Sequence, residues 1–174
     1  MFLIVDGYNI IGAWPEFKGI DDLSLSRDKL IHYLADYAGY TGHQVTLVFD
    51  GYAGNKLISS AEEVFGITVV FTRQHETADH YIERAVDIFL DGVPRYAHAD
   101  VRVATNDALE QSVILSRGAV RMSASELRRD VQNARRRRNR EQTEQKQVKP
   151  LTFEDRLTES QKKMLERMRR GNDE

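Results

Sequence analysis

Cysteine is missing from all 174 residues, which excludes disulfides, thiolate zinc sites and cysteine nucleophiles. No stretch approaches the roughly 20 apolar residues of a membrane helix. The first residues run straight into a strand-like segment, without the basic region and small-residue cleavage site of a signal peptide. The cytoplasm is the expected compartment. Walker loops, GxGxxG turns, serine–histidine arrangements and internal repeats are absent. Only three prolines occur, and none falls between residue 118 and Pro150.

Hydrophobic residues make up 41% of the chain, enough for a core. The formal net charge of −2 hides an asymmetry. Residues 1–110 carry 8 Lys/Arg against 17 Asp/Glu, 8 − 17 = −9; residues 111–174 carry 17 against 10, 17 − 10 = +7. An acidic body can hold cations, and a basic tail is drawn to polyanions.

Short apolar runs at 2–5, 45–49, 67–71 and 101–104 read as strands covered on both faces. Helical stripes at 23–40 and 78–90 alternate with them, so the fold class is α/β with a mostly parallel sheet. A further helix is expected at 107–115, a short strand at 119–122, and a helix begun by the capping box of Ser123 and Glu126. From Gln132 onward that segment has almost no apolar face, and reads as a projecting solvated helix or partly disordered. A last helix at 151–170 offers Phe153, Leu157, Met164, Leu165 and Met168 for docking.

In a parallel sheet the carboxyl ends of the strands share one edge, where ligands bind. Asp6, Asp50 and Asp107 end three strands, and Asp79 opens the helix after another. Crowded carboxylates repel unless a cation neutralises them, and an all-oxygen set suits Mg²⁺ or Mn²⁺. Such ions support phosphoryl transfer by binding the scissile phosphate and activating water. Gly7 permits close backbone approach, and Asn9 can steady Asp6. Each acid has a blander reading: Asp50 before Gly51 suits a turn, and Asp107 suits a helix start. Thr77 reads as an N-cap. Glu76 and Glu83 are reserves; His75 and His80 stay outside the metal shell. The residue two after Asp6 is Tyr8, which removes the second aspartate that haloacid-dehalogenase phosphatases require.

In order, "VDGYN", "VFDG", "ETADHYIE" and "VATND" resemble the NYN branch of the PIN-like nucleases, with "DGYNIIGAWPEF" and "GAVRMSASELRRDV" similar to its YacP-like members. That group includes a ribosome-associated endoribonuclease that cuts messenger RNA. The resemblance covers residues 1–133, leaving 134–174 as a basic helical extension. It implies a PIN-like three-layer sandwich and Mg²⁺- or Mn²⁺-dependent cleavage of RNA to 5′-phosphate and 3′-hydroxyl ends. By position it implies Asp6, Asp79 and Asp107 as metal ligands, Asn9 beside Asp6, and Asp50 and Thr105 on the rim.

For RNA, Tyr8 and Trp14 are candidate stacking rings, although Trp14 with Pro15 and Phe17 also suits burial. The 51–66 segment reads as a mobile flap from which Lys56 reaches a phosphate. Arg128, Arg129 and the run Arg135, Arg136, Arg137 and Arg138 suit a phosphate backbone gripped on several sides. No membrane and no organic cofactor are expected. A catalytically silent RNA- or ribosome-binding adaptor is the competing class, and a DNA or structured tRNA substrate is a third.

Overall fold

The computed structural model describes residues 1–51, 59–73, 75–94, 98, 100–147 and 158–170. Six strands form one sheet: β1 (Phe2–Asp6), β2 (Gln44–Phe49), β3 (Ser60–Val64), β4 (Ile67–Phe71), β5 (Val101–Ala104) and β6 (Val120–Met122). Their order is β3-β4-β2-β1-β5-β6, and every pairing is parallel except β3 with β4. The helices are α1 (Gly7–Ala13), α2 (Leu23–Thr41), α3 (Ala78–Leu90), α4 (Ala108–Arg117), α5 (Ala124–Gln147) and α6 (Glu159–Arg170), with a 3₁₀ turn at Pro15–Phe17.

Alternate residues of β1 explain the layers. Leu3 and Val5 pack with Ile10, Leu30, Leu34 and Leu127, from α1, α2 and α5. Ile4 faces the other way, onto Ile82, Val86 and Ile114 from α3 and α4. Both faces are covered, which is why the strands read as continuous apolar runs. The expected α/β sandwich with a mostly parallel sheet is the observed one.

Two elements differ from the sequence reading. The half of the expected flap beyond residue 59 is β3, an edge strand hairpinned to β4 through Phe65 and Gly66, both at positive φ. Its sequence SAEEV buries little, and its two glutamates suit an exposed edge. Residues 52–58, including Lys56, lie outside the described residues. A short helix not foreseen in the sequence, α1, follows β1 at once with Asp6 as its N-cap.

Two compact units divide the chain, Met1–Arg138 and Asn139–Glu174. The first runs past residue 133 because α5 keeps packing: Ala124, Leu127, Val131 and Ala134 are buried, at helical spacing. Arg138 then pairs with Asp36 of α2 at 2.9 Å. In the second unit Met164 and Met168 are exposed rather than docked, while Phe153 and Leu157 lie outside the described residues. Among the described residues no helix is long and apolar enough to cross a membrane.

Candidate active site

The chain leaves β1 toward β2 on one side and returns through β5 on the other, so the topology switches between β1 and β5. A crevice opens there, at the carboxyl ends of the strands. Asp6 ends β1, α4 starts just beyond β5, and α3 starts beyond β4. Asp6, Asp79 and Glu110 meet in this crevice, each with a carboxylate oxygen within 4.8 Å of the others.

Glu110 is 3% exposed and Asp6 8%. Burial is the main force on both, and it favours the neutral acid: Glu110 is pushed up to about 7 and Asp6 to about 6. Neighbouring charges add to this, Asp79 and Asp50 on Asp6, and Asp6, Asp79 and Asp107 on Glu110. The Asn9 amide works the other way, donating to Asp6 Oδ1 at 3.1 Å. Asp79 is raised too, by partial burial first and then by Asp107 and Asp50. Neither carboxylate oxygen of Glu110 makes a hydrogen bond of normal geometry among the described residues, although the neighbouring Thr105 hydroxyl acts to lower its pKa. A buried glutamate with two unpartnered oxygens, facing two more carboxylates, is costly without a counter-charge. The donor set fits a hard divalent cation, which supplies both the charge and the missing partner.

Surrounding residues fix the mouth of the crevice. The Asn9 side chain bonds away from Asp6, to the β5–α4 turn: its Oδ1 accepts from the Asn106 amide at 2.7 Å, tying α1 to that turn. Asn106 Oδ1 accepts from the Ala124 amide at 2.9 Å, and Trp14 Nε1 donates to the Ala124 carbonyl at 2.8 Å. Asp50 accepts from the Ala78 amide at 2.5 Å while Thr77 caps His80, so both hold the start of α3 below Asp79. Thr105, fully buried, accepts from the Asp107 amide at 3.1 Å, and its carbonyl accepts from Gln111 at 2.7 Å. Gly7 is required by packing: a Cβ there would lie 2.2 Å from the Phe49 ring. The glycine therefore makes room for an aromatic ring, not for a phosphate.

Of the expected metal ligands, Asp6 and Asp79 are brought together and Asp107 is outside their group. Asp107 Oδ1 accepts from the Leu109 and Glu110 amides at 2.8 and 3.2 Å, capping α4. Glu110, which the sequence reading missed, takes the third place. Its signal was the spacing in "NDALE", since a residue three after Asp107 shares its helix face. Glu76 and Glu83 are committed elsewhere. Arg84 reaches Glu76 at 2.5 Å with Ser59 at 2.9 Å, and Arg117 holds both Glu83 and Asp87. His75 and His80 are exposed and outside the carboxylate group.

The expected RNA contacts also separate. Trp14 is buried against Phe17 and Tyr33. Tyr8 is half-buried on Phe49, and its hydroxyl accepts from Arg27 at 3.1 Å. Arg128 is held by Glu16 at 2.8 Å and Arg138 by Asp36, whereas Arg129, Arg135, Arg136 and Arg137 are exposed.

A mostly parallel α/β sheet with three carboxylates at its switch point suits a nuclease-type domain, and the family match supports that class. The chain belongs to the YacP-like NYN domain family, whose model matches residues 3–170. It is 38% identical to the YacP protein of Bacillus subtilis (strain 168) over 175 residues, covering 98% of this chain and 97% of that protein. Among solved structures it resembles crystal structures of Rae1 (YacP) from Bacillus subtilis. A mutant form gives a TM-score of 0.70 at 36% identity, covering 89% of both chains. A second structure gives 0.66 at 37% identity, covering 98% of this chain and 95% of that one.

Proposed function

We propose that this protein is a cytoplasmic, divalent-metal-dependent endoribonuclease that hydrolyses single-stranded RNA, with messenger RNA at the ribosome as its client. The observation that carries the reading is the meeting of Asp6, Asp79 and Glu110 with both Glu110 oxygens unpartnered. Mg²⁺ or Mn²⁺ held there would neutralise the scissile phosphate and make water a competent nucleophile at neutral pH.

The chain's own residues do the rest. Asp6, Asp79 and Glu110 would hold the cation, and Asp107 would add negative charge near them while capping α4. Asn9 and Asn106 tie α1 to the β5–α4 turn at the crevice, and Asp50 keeps Asp79 in place by anchoring α3. Direct attack by water, giving products with 5′-phosphate and 3′-hydroxyl ends, follows from the likeness of the sequence motifs. Membership of a nuclease-type family supports the reaction class. The messenger and ribosomal client follows from the likeness of the sequence motifs.

The test is cleavage of a single-stranded RNA in Mn²⁺ or Mg²⁺ by wild type, Asp6→Asn and Glu110→Gln. Each substitution is expected to lower the rate by at least about 100-fold, more than loss of a supporting contact around a metal. Equal cleavage by all three would sink the mechanism. RNA binding without cleavage in wild type would favour the silent adaptor instead.

A further inference from the structure

Tyr8, Phe49 and Phe71 form a continuous aromatic row beside the crevice, on the α2 side of the sheet; Phe49 is fully buried, and Tyr8 and Phe71 are the two rings that reach the surface. Ring centroids lie 5.0 Å apart for Tyr8 and Phe49, and 5.5 Å for Phe49 and Phe71. Phe49 and Phe71 are register partners at the ends of β2 and β4, and Tyr8 is two residues beyond Asp6. Arg27, in the second turn of α2, spans this row. Its Nη1 donates to the Tyr8 hydroxyl at 3.1 Å, and its guanidinium carbon lies 5.8 Å from the Phe71 ring centre.

Arg27 is half-buried, yet among the described residues no carboxylate pairs with it. Other arginines have carboxylate partners: Arg73 and Arg84 share Glu76, and Arg128 pairs with Glu16. An RNA strand entering a crevice of carboxylates is repelled along its whole backbone, not only at the reacting phosphate. Contacts to neighbouring phosphates must therefore position it. A guanidinium has five N–H donors, and Tyr8 occupies one of them. Its tethered fork matches a phosphate better than a free lysine would.

We infer that Arg27 binds a phosphodiester flanking the reacting one, with the Tyr8 hydroxyl and the Phe71 face fixing its orientation. Tyr8 is then a positioning residue rather than a stacking platform. This inference rests on the endoribonuclease reading for its ligand, single-stranded RNA.

Binding of a short labelled oligoribonucleotide to the full chain, in EDTA and across a range of salt, tests it. Arg27→Ala is expected to weaken binding about 10-fold at low salt. It should also reduce the magnitude of the log–log salt slope by about 0.7, the value for one lost phosphate contact on a single strand. Arg27→Lys and Tyr8→Phe retain the charge, and should retain the slope while losing part of the affinity. Unchanged affinity and slope in Arg27→Ala would overturn the inference. So would weaker binding at unchanged slope, the mark of a merely structural lesion, or a wild-type protein that binds no RNA. With metal absent, failure of the cleavage reading appears separately, as RNA left intact by wild type in Mn²⁺.

Discussion

Glu110 shows how a candidate site residue can be faint in sequence and plain in structure. Asp6 and Asp79 stood out because a carboxylate just after an apolar strand, or just inside the helix that follows one, has a placement the fold dictates. Glu110 reads as an ordinary acid in the first turn of a helix, favoured there by the helix dipole. Only burial at 3% exposure, with both oxygens unpartnered, separates it from the exposed majority. That burial has a measurable consequence. An unfolded glutamate loses its proton near 4.5, whereas folded Glu110 keeps it to about 7. Between these values the metal-free native state binds more protons than the unfolded chain, so stability falls as pH rises. The contribution is complete below about 4.5 and lost above about 7, up to about 3 kcal/mol. Asp6, raised to about 6, acts in the same direction within that window. Thermal melts in EDTA from pH 4.5 to 8 should show wild type losing more stability than Glu110→Gln. The lowered His43 acts equally in both proteins and cancels in their difference. Mn²⁺ at pH 8 should raise the melting temperature of wild type and much less that of the variant. Parallel pH curves would mean that Glu110 is not held as described.

At the scale of elements, the strands of the parallel sheet and the long helices were legible because burial on both faces and helical stripes leave strong periodic signals. The misread elements carry weak ones. Seven-residue α1 is too short to show a stripe, and β3 is an edge strand with exposed acids in its middle. The junction of α1, the β5–α4 turn and α5 was equally unreadable, since two of its three bonds join residues more than ninety positions apart. There the Ala124 amide bonds to Asn106, and the Ala124 carbonyl to Trp14. Trp14 was a candidate for stacking on RNA, and its indole is instead a peg for α5. Removing either partner strands a polar group of Ala124, which is 1% exposed. Asn106→Ala and Trp14→Phe should each cost about 1–3 kcal/mol, lowering the melting temperature by roughly 2–4 °C per kcal/mol for a chain of this size. Asn106→Ala should also slow cleavage, since the Asn106 side chain ties the turn leading to Asp107 and Glu110 to the start of α5. A variant with wild-type melting and wild-type rate would remove this junction from the account of the site.

Across the whole molecule, the division between an acidic body and a basic tail was plain in the charge count, but its use of arginine was not. A run of four arginines on a helix reads as charge on every side. Docking of α5 through Ala134 breaks that symmetry, because Arg138 lies on the packed side with Asp36 while Arg135, Arg136 and Arg137 remain exposed. Arg128 is likewise spent on Glu16. The polyanion contacts expected of this helix therefore fall to Arg129 and the 135–137 triplet. Arg135→Ala, Arg136→Ala and Arg137→Ala combined should leave the melting temperature nearly unchanged, since exposed substitutions away from packed features cost within about 0.5 kcal/mol each. Arg138→Ala should lower stability slightly, by up to about 1 kcal/mol for a partly exposed pair. In RNA or ribosome binding the order reverses. The triple variant should bind more weakly, with its log–log salt slope smaller by up to about 2 if all three side chains meet phosphates of a single strand. Arg138→Ala should bind like wild type. Equal affinity and slope for the triple variant and wild type would mean that the triplet is solvated surface. Loss confined to Arg138→Ala would mean that the Asp36 pair opens on binding, moving the contact to the α2 side of the helix.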